Sequence, residues 1–186
     1  RLDDNNRAVI KIRAVCPRYY PPRYSQGTGP GFFENIALRM KAAISEFLRS
    51  HNTMSLATSR NNHPYAAALF YASDGLTLYF LSNPSSEHSL NIFLNPRVAA
   101  TINTEHFDWK TVRGLRIIGR AYAIDEEESK RARDIFESKF PFLTGLLKSG
   151  VLRREFADYS FFKIIPETIR LIDNSVHFGF RAEMQI

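Results

Sequence analysis

The chain has 186 residues, 44% of them hydrophobic, which is enough for one substantial buried core with at most a small appendage. Its 25 Lys and Arg against 19 Asp and Glu give a formal net charge of +6, which favours anionic partners; however, the basic residues are scattered and match no DNA-reading motif, so nucleic acid is not expected. The lone Cys16 excludes an internal disulfide, and no apolar run approaches the roughly 20 residues that span a bilayer, so we expect a cytoplasmic, non-membrane protein.

The first predicted region is an N-terminal arm over residues 1–31. Its second half, "PRYYPPRYSQGTGPG" (17–31), contains four prolines and three glycines, which disfavour both a helix and a central strand. We therefore expect an extended arm, followed by a single domain over residues 32–186.

A helix is predicted next, over residues 33–50. Its apolar residues recur at intervals of three and four positions, as they do on one face of an amphipathic helix. They are Phe33, Ile36, Ala37, Met40, Ala43, Ile44, Phe47 and Leu48.

After this helix the apolar pattern changes to the alternation and short runs that are typical of strands. Three strands are predicted over 53–59, 64–73 and 76–82, separated by the turn sequences "RNNH" and "DG". A short helix over 86–94 follows, and it ends at Asn95 because the residue before a proline disfavours helical geometry.

The last third of the chain predicts further strands and one more helix. "RVAATIN" (97–103) and "TVRGLRIIGRAYAI" (111–124) are predicted as strands. In the second, one face carries Arg113, Leu115, Ile117, Ala121 and Ala123, and the other carries Arg116, Ile118 and Arg120. "DEEES" (125–129) begins a helix that ends near Lys139, a charge order that suits the helix dipole. The apolar stripe of that helix is Ala132, Ile135, Phe136 and Phe140.

Residues 158–173 supply one or two closing strands. Six or seven mostly antiparallel strands with covering helices predict an α+β fold built on a closed or partly closed barrel.

The corner between the third predicted strand and the short helix contains the side chains best suited to bind a ligand. Ser82 and Ser86 offer hydroxyl donors, the first amides of the helix point outward, and His88 adds a titratable cation, which together form a workable phosphate cradle. The same residues also fit an ordinary serine N-cap at the start of a helix with a histidine on its surface.

This corner resembles the FMN-binding split barrel family, the pyridoxamine 5'-phosphate oxidase-like proteins. The matching positions are Ser82, Ser86, Glu87, His88, Asn91, Ile92, Asn95, Pro96, Arg97 and Val98. The similarity continues in "MSLATSRNNHPYAAALFY", "DWKTVRGLRIIGRA" and "IIPETIRLIDNSVHFGF", and thus covers about residues 33 to 181. It is strongest to a small uncharacterised branch that carries a histidine at the position of His88 and an "RLIDNS" tail.

The resemblance implies a split barrel and a homodimer with two FMN molecules at the subunit interface. The FMN phosphate would be bound by Ser82, Ser86 and His88, and the isoalloxazine ring would lie along Ala66, Ala67, Ala68 and Leu69. The residues alone equally fit a small-residue strand packed under a helix. The other implied flavin contacts are Trp109, Gly114, Leu115 and Arg116. Arg116 would hold the phosphate or the ring edge where charge develops on reduction, unless it simply faces solvent.

Two departures from the family pattern change the expectation. The oxidases carry basic residues where this chain has Glu87, His88, Ala66 and Tyr71, so a phosphate meets fewer permanent cations here. FMN binding is therefore predicted to weaken as pH rises through the titration of His88. The tail reads "RLIDNS" instead of the family's Arg-x-His element, which makes pyridoxine phosphate an unsuitable substrate.

The leading hypothesis is an FMN-binding oxidoreductase that transfers hydride or electrons to an unidentified small molecule. A non-enzymatic flavin or haem binder and a dimeric interaction module with a basic surface are the alternatives. The five histidines are dispersed without a metal-ligand spacing, so no metal is predicted, and no catalytic side chain is assigned.

Overall fold

The computed structural model describes residues 13–14, 30–142, 145 and 158–186. The helices and strands that carry the fold are, in chain order, β1 (Arg13–Ala14), α1 (Pro30–Ser50), β2 (Thr53–Arg60), β3 (His63–Phe70), β4 (Ala72–Asp74), β5 (Thr77–Ser82), α2 (Glu87–Leu94), β6 (Arg97–Asn103), β7 (Arg113–Ala123), α3 (Glu126–Lys139), β8 (Ser160–Asp173) and β9 (Arg181–Gln185). None of the helices in these ranges is long and apolar enough to cross a membrane.

Seven antiparallel strands curl into a split barrel in the order β3–β2–β6–β7–β8–β5–β4. The two ends of this series, β3 and β4, are consecutive in the chain and are separated by Tyr71 alone, so one continuous segment brings both edges of the sheet together. β9 pairs with the second half of β8, and β1 pairs with β9. The predicted α+β barrel with covering helices is confirmed.

The hairpin of β2 and β3 sets the register of the site. Asn61 and Asn62 have φ values of 50° and 64°, the left-handed pair that a two-residue hairpin turn requires and that asparagine tolerates. This turn places Ala66 opposite Ala57 and Leu69 opposite Met54. The predicted turn at "RNNH" therefore fixes which residues of the alanine strand face the core.

The predicted strand over 64–73 is in fact two strands that meet at a buried tyrosine. The Tyr71 amide donates to the carbonyl of Asn52 (3.1 Å) and its hydroxyl donates to the carbonyl of Leu48 (2.9 Å). These bonds tie the corner to the end of α1, and the chain beyond it pairs with β5 instead of β2. The continuous apolar run hid this break.

The β7–β8 ladder contains a bulge, and the inward face of β7 stays buried on both sides of it except at the ends of the strand. The register shifts between Ile118 and Gly119, where a Cβ on Gly119 would lie 2.2 Å from the carbonyl oxygen of Ile165. Leu115, Ile117 and Ala121 are buried as predicted, whereas Ala123 is exposed.

The helices cover the barrel as two layers. Ile44 and Leu48 of α1 pack with the residues of the barrel interior in one core cluster. Phe136 of α3 packs in a second cluster with Ala72 of β4 and Tyr79 of β5. α1 begins at Pro30, inside the predicted arm, because proline is well tolerated in the first helical turn. The rest of the arm lies outside the described residues apart from β1. The predicted closing strands over 158–173 are the single strand β8, which begins at Ser160, and β9 was not predicted.

Candidate functional site

Three serines and a histidine converge where β5 ends and α2 begins. The Nε2 atom of His88 lies 2.6 Å from the Oγ of Ser82 and 3.1 Å from the Oγ of Ser86. Ser86 and Ser82 are 3.2 Å apart, and Ser89 completes the cluster through hydrogen bonds to both. The structure therefore brings together the three residues predicted to bind phosphate.

The corner that shapes this cluster is built by Asn83. The Ser86 amide donates to the Asn83 carbonyl (3.0 Å), and the Ser85 amide donates to its side-chain Oδ1 (2.8 Å). Ser86 occupies the N-cap position of α2, but its hydroxyl makes no capping bond to a helix amide. It bonds to Ser89 and His88 instead, so the first amides of α2 are left without the partner that an N-cap serine usually supplies.

His88 is a buried side chain, 7% exposed, so the alternative of a histidine on the helix surface is wrong. Its ring lies between Tyr65 of β3 and Phe80 of β5, with centroids 6.3 and 6.4 Å away. Burial lowers the pKa of His88 because the charged imidazolium loses hydration. In this structure the cluster therefore favours a neutral imidazole.

An ion pair that the sequence pattern did not reveal stands beside the cluster. Arg60, the last residue of β2, donates to the carboxylate of Glu87 at 3.1 Å, and both side chains are partly exposed. The barrel thus supplies a permanent cation at the N-terminus of α2. On the buried side of α2, Asn91 Nδ2 donates to Oγ1 of Thr58 in β2 (3.1 Å).

The alanine strand β3 lies at one edge of this sheet, and its outward-facing alanines are exposed among the described residues. Ala66 and Ala68 are exposed, and Ala67 and Leu69 are half-buried on the inner face. Within the described residues β3 pairs with β2 alone, so its other edge is open. A flat ring has room to approach Ala66 and Ala68.

The remaining predicted residues lie elsewhere on the barrel. Gly114 and Leu115 are buried in β7, and Arg116 is half-exposed on its outer face. Arg116 pairs with Thr101, which pairs with Ser55, which in turn pairs with Ala68. Three strand spacings, about 14 Å, therefore separate the backbone of Arg116 from the alanine strand.

Trp109 lies beyond the opposite end of the barrel from Ser82. Ser82 pairs with Ser160, past the Ala123 end of β7, whereas Trp109 precedes its first residue, Arg113. The length of the eleven-residue β7, about 30 Å, separates them. One flavin nucleotide cannot contact both residues within a single chain.

The loop that carries Trp109, before β7, is hydrogen-bonded to the loop that follows β8. Asn174 donates from Nδ2 to the Trp109 carbonyl (2.8 Å) and from its amide to the Val112 carbonyl (2.9 Å). The indole meets the ring of Phe178 edge-on at 5.3 Å, and both rings are largely exposed. Exposed aromatic side chains on a braced support are typical of a surface that contacts another molecule.

The Ser82 cluster fits a phosphate group. Hydroxyls, free amides at a helix N-terminus and an imidazole are donors that a phosphate accepts from, and Arg60 adds charge within reach of the helix start. No group of three or more metal-ligating side chains occurs among the residues that the structure describes.

Comparison with known proteins places the chain among relatives of one family. The model of the family described as pyridoxamine 5'-phosphate oxidase matches residues 40–173. A UPF0306 protein of Klebsiella pneumoniae is 25% identical over 140 residues, which cover 74% of this chain and 88% of the relative. The UPF0306 protein YhbP of Escherichia coli is 24% identical over 139 residues, which cover 74% and 87%.

Solved structures share the fold. A putative pyridoxamine 5'-phosphate oxidase from Listeria innocua has a TM-score of 0.55 and 26% identity, covering 71% of this chain and 97% of that one. A FAD-binding protein from Mesorhizobium loti has a TM-score of 0.56 and 20% identity, covering 78% and 94%. A heme binding protein from Mycobacterium smegmatis has a TM-score of 0.60 and 19% identity, covering 76% and 57%. The last two similarities establish the fold alone.

Proposed function

Because this chain belongs to the pyridoxamine 5'-phosphate oxidase family, we propose that it binds FMN and acts as an FMN-dependent oxidoreductase on a small molecule. The observation that carries the proposal is the convergence of Ser82, Ser86 and His88 at the N-terminus of α2. The tail that replaces the family's Arg-x-His element argues against pyridoxine phosphate as that molecule.

The phosphate is the part of FMN that this cluster is suited to hold. Ser82 and Ser86 donate hydroxyl protons, and the first amides of α2 add hydrogen bonds and the positive end of the helix dipole. His88 supplies a charge only when it is protonated, and Arg60 supplies a permanent one once it leaves Glu87. The chain thus replaces the family's basic pair with a titratable group and a cation from a neighbouring strand.

A homodimer supplies the second half of the site in this proposal. Trp109 is too distant to reach a flavin bound at the Ser82 cluster of its own chain, and Arg116 lies three strands from the alanine strand. The outer face of β2, β3 and β6 carries a row of small side chains, which suits close contact with a second copy: Ser55, Ala57, Ala66, Ala68, Ala99 and Thr101. Family members are typically dimers with the flavin between subunits, which agrees with this arrangement.

The ring would lie against Ala66 to Leu69 of one chain, and the loops of Trp109 and Phe178 from the other chain would close the site. When bound, the flavin supplies hydride or electron transfer, and the protein supplies position and electrostatics. Arg116 is suited to the ring edge that gains negative charge, because its side chain makes no ion pair among the described residues and is half-exposed. No side-chain acid, base or nucleophile is assigned.

The test compares FMN with riboflavin, which lacks the phosphate. The purified protein is titrated with each, and flavin fluorescence and co-elution on gel filtration are recorded. We expect FMN to bind at least tenfold more tightly than riboflavin, and the double variant S82A/S86A to lose that preference. Ser85→Ala is the matched control, because Ser85 is an exposed serine of the same corner whose hydroxyl lies outside the cluster.

The same samples separate the alternatives. Bleaching of bound FMN by NADH or NADPH supports an oxidoreductase, and bound FMN that no donor reduces supports a flavin carrier. A Soret band after haem addition supports a haem binder. A protein that binds neither cofactor supports an interaction module and contradicts the proposal.

A further inference from the structure

Two buried polar atoms on α2 have no hydrogen-bond partner among the described residues: Nδ1 of His88 and Oδ1 of Asn91. Asn91 is 1% exposed, and the two residues are three positions apart on the helix, a spacing that makes side chains neighbours. Buried polar atoms are nearly always paired in folded proteins. Both atoms therefore call for a partner.

The serine hydroxyls indicate which ring nitrogen of His88 carries the proton. Ser86 donates to Ser89 (2.8 Å), and Ser89 donates to Ser82 (3.5 Å). Each hydroxyl has one proton, so that of Ser82 can go to Ser86 (3.2 Å) or to Nε2 of His88 (2.6 Å), and in our proposal it goes to the nearer atom, Nε2. An Nε2 atom that accepts leaves the proton of a neutral imidazole on Nδ1. The unpaired Nδ1–H and the unpaired Oδ1 of Asn91 are then a complementary donor and acceptor.

We propose that Asn91 is the positioning residue of His88, whose Nδ1–H it holds through one internal water that donates to Asn91 Oδ1. A water is required because the two atoms are not in direct hydrogen-bond contact, and a buried water between two otherwise unpaired polar groups is a common structural element. Thr58 of β2 fixes the orientation of the amide by accepting from Asn91 Nδ2 (3.1 Å), which leaves Oδ1 as its free end.

The consequence for cofactor binding rests on the proposed function. A phosphate dianion at the cluster favours the imidazolium, in which both ring nitrogens donate. Nε2–H then turns to the phosphate or Ser82, while Nδ1–H keeps the bridge to Asn91 in both charge states. Asn91 thereby allows His88 to gain a proton without leaving a buried donor unpaired.

The groups that face the imidazole are few. Ser82 closes β5, the ring of Tyr65 comes from β3, and the exposed Arg60–Glu87 pair lies at the start of α2. None of these groups hydrogen-bonds to Nδ1, and Asn91 Oδ1 is the other buried side-chain atom among the described residues that has no partner.

The test uses the protein without flavin, labelled with ¹⁵N-histidine, and long-range ¹H–¹⁵N NMR to report the tautomer of each ring. His88 is assigned from the signals lost in His88→Asn. At about pH 8 we expect His88 in the Nδ1–H form, since unperturbed histidines are neutral there. Asn91→Asp is expected to raise the His88 titration midpoint by about one pH unit, and Asn91→Leu to lower it and mix the tautomers.

Asn95→Leu is the matched control. Asn95 is the half-buried C-cap of the same helix and bonds to Ser59, so this variant also loses a hydrogen-bonded amide and should leave the His88 signals unchanged. An Nε2–H tautomer in the wild-type protein overturns the proposal without any variant, so a variant that fails to fold does not obscure the result. If the tautomer is as expected but FMN does not bind, the proposed function fails and the positioning role stands. If FMN binds and neither Asn91 variant moves the His88 midpoint, the positioning role alone fails.

Discussion

The Nε2 atom of His88 lies 2.6 Å from the hydroxyl of Ser82, inside the corner that joins β5 to α2. The two side chains are hydrogen-bonded through this nitrogen, and because burial lowers the pKa of His88, the cluster favours a neutral imidazole. A phosphate that enters must take over the serine hydroxyls and favours a protonated imidazole. If FMN binds here as proposed, binding of the anion and uptake of a proton are coupled.

We expect FMN to bind more tightly at about pH 6.5 than at about pH 8.5. Burial lowers the pKa of the imidazole in the free protein, and a bound dianion raises it. Between the two values binding takes up one proton, so affinity falls as pH rises, by at most about tenfold per pH unit. Fluorescence titration of FMN at several pH values measures this slope.

His88→Lys is the companion variant, because lysine is charged throughout this range. It should flatten the pH dependence while FMN still binds. Equal wild-type affinity at both ends of the range would remove His88 from the phosphate site.

The flavin-free protein is expected to lose stability as pH falls through about 6.5. The folded pKa of His88 is lowered, so below the unfolded value the unfolded chain binds a proton that the folded chain does not, and this favours unfolding. Urea unfolding at several pH values measures the trend in wild-type protein and in His88→Asn. A His88→Asn variant whose stability falls with pH as steeply as the wild type would show that other groups cause the loss.

Glu87→Gln is expected to tighten FMN binding by about two- to fivefold. The ion pair with Glu87 holds Arg60 at 3.1 Å, and because an exposed pair is worth at most about 1 kcal/mol, releasing it has a small effect. Arg60→Ala should weaken binding by a similar factor, and both effects should shrink at high salt. Glu126→Gln, an exposed acidic residue in the first turn of α3, is the control for net charge. Tighter binding in that control as well would assign the effect to overall charge instead of Arg60.

The fold was predictable wherever local chemistry decides it. The asparagine turn and the charged ends of α3 have their cause in adjacent residues, and both lie where the pattern indicated. The break at Tyr71 has a distant cause, the carbonyl of Leu48, and the apolar run through it carries no signal. β9 was missed because "RAEMQ" is short and charged, and its strand state depends on pairing with β8.

The candidate site divides in the same way. Ser82, Ser86 and His88 lie within seven positions, so their order in the chain was enough to predict that they meet. The Arg60–Glu87 pair and the Thr58–Asn91 bond join residues 27 and 33 positions apart. Those contacts depend on how β2 passes α2 in the barrel, which no local pattern specifies.

Mixed dimers test whether one flavin site takes residues from two chains. Trp109 is the single tryptophan, so its fluorescence reports an adjacent flavin without interference. S82A/S86A homodimers keep the reporter and lack the phosphate cluster, and Trp109→Phe homodimers bind FMN and lack the reporter. In the mixed dimer, a shared site combines the intact cluster of one chain with Trp109 of the other, and FMN should then quench the tryptophan almost completely.

If each chain forms its own site, the mixed dimer has no site with both elements, and Trp109 should keep most of its emission. Exchange of either variant with wild-type subunits measures how fully the chains mix. A protein that remains monomeric under all conditions would contradict the shared site directly. Because the two elements lie about 30 Å apart in one chain, we expect the quenching to appear only after subunit exchange, with an amplitude that follows the fraction of mixed dimers.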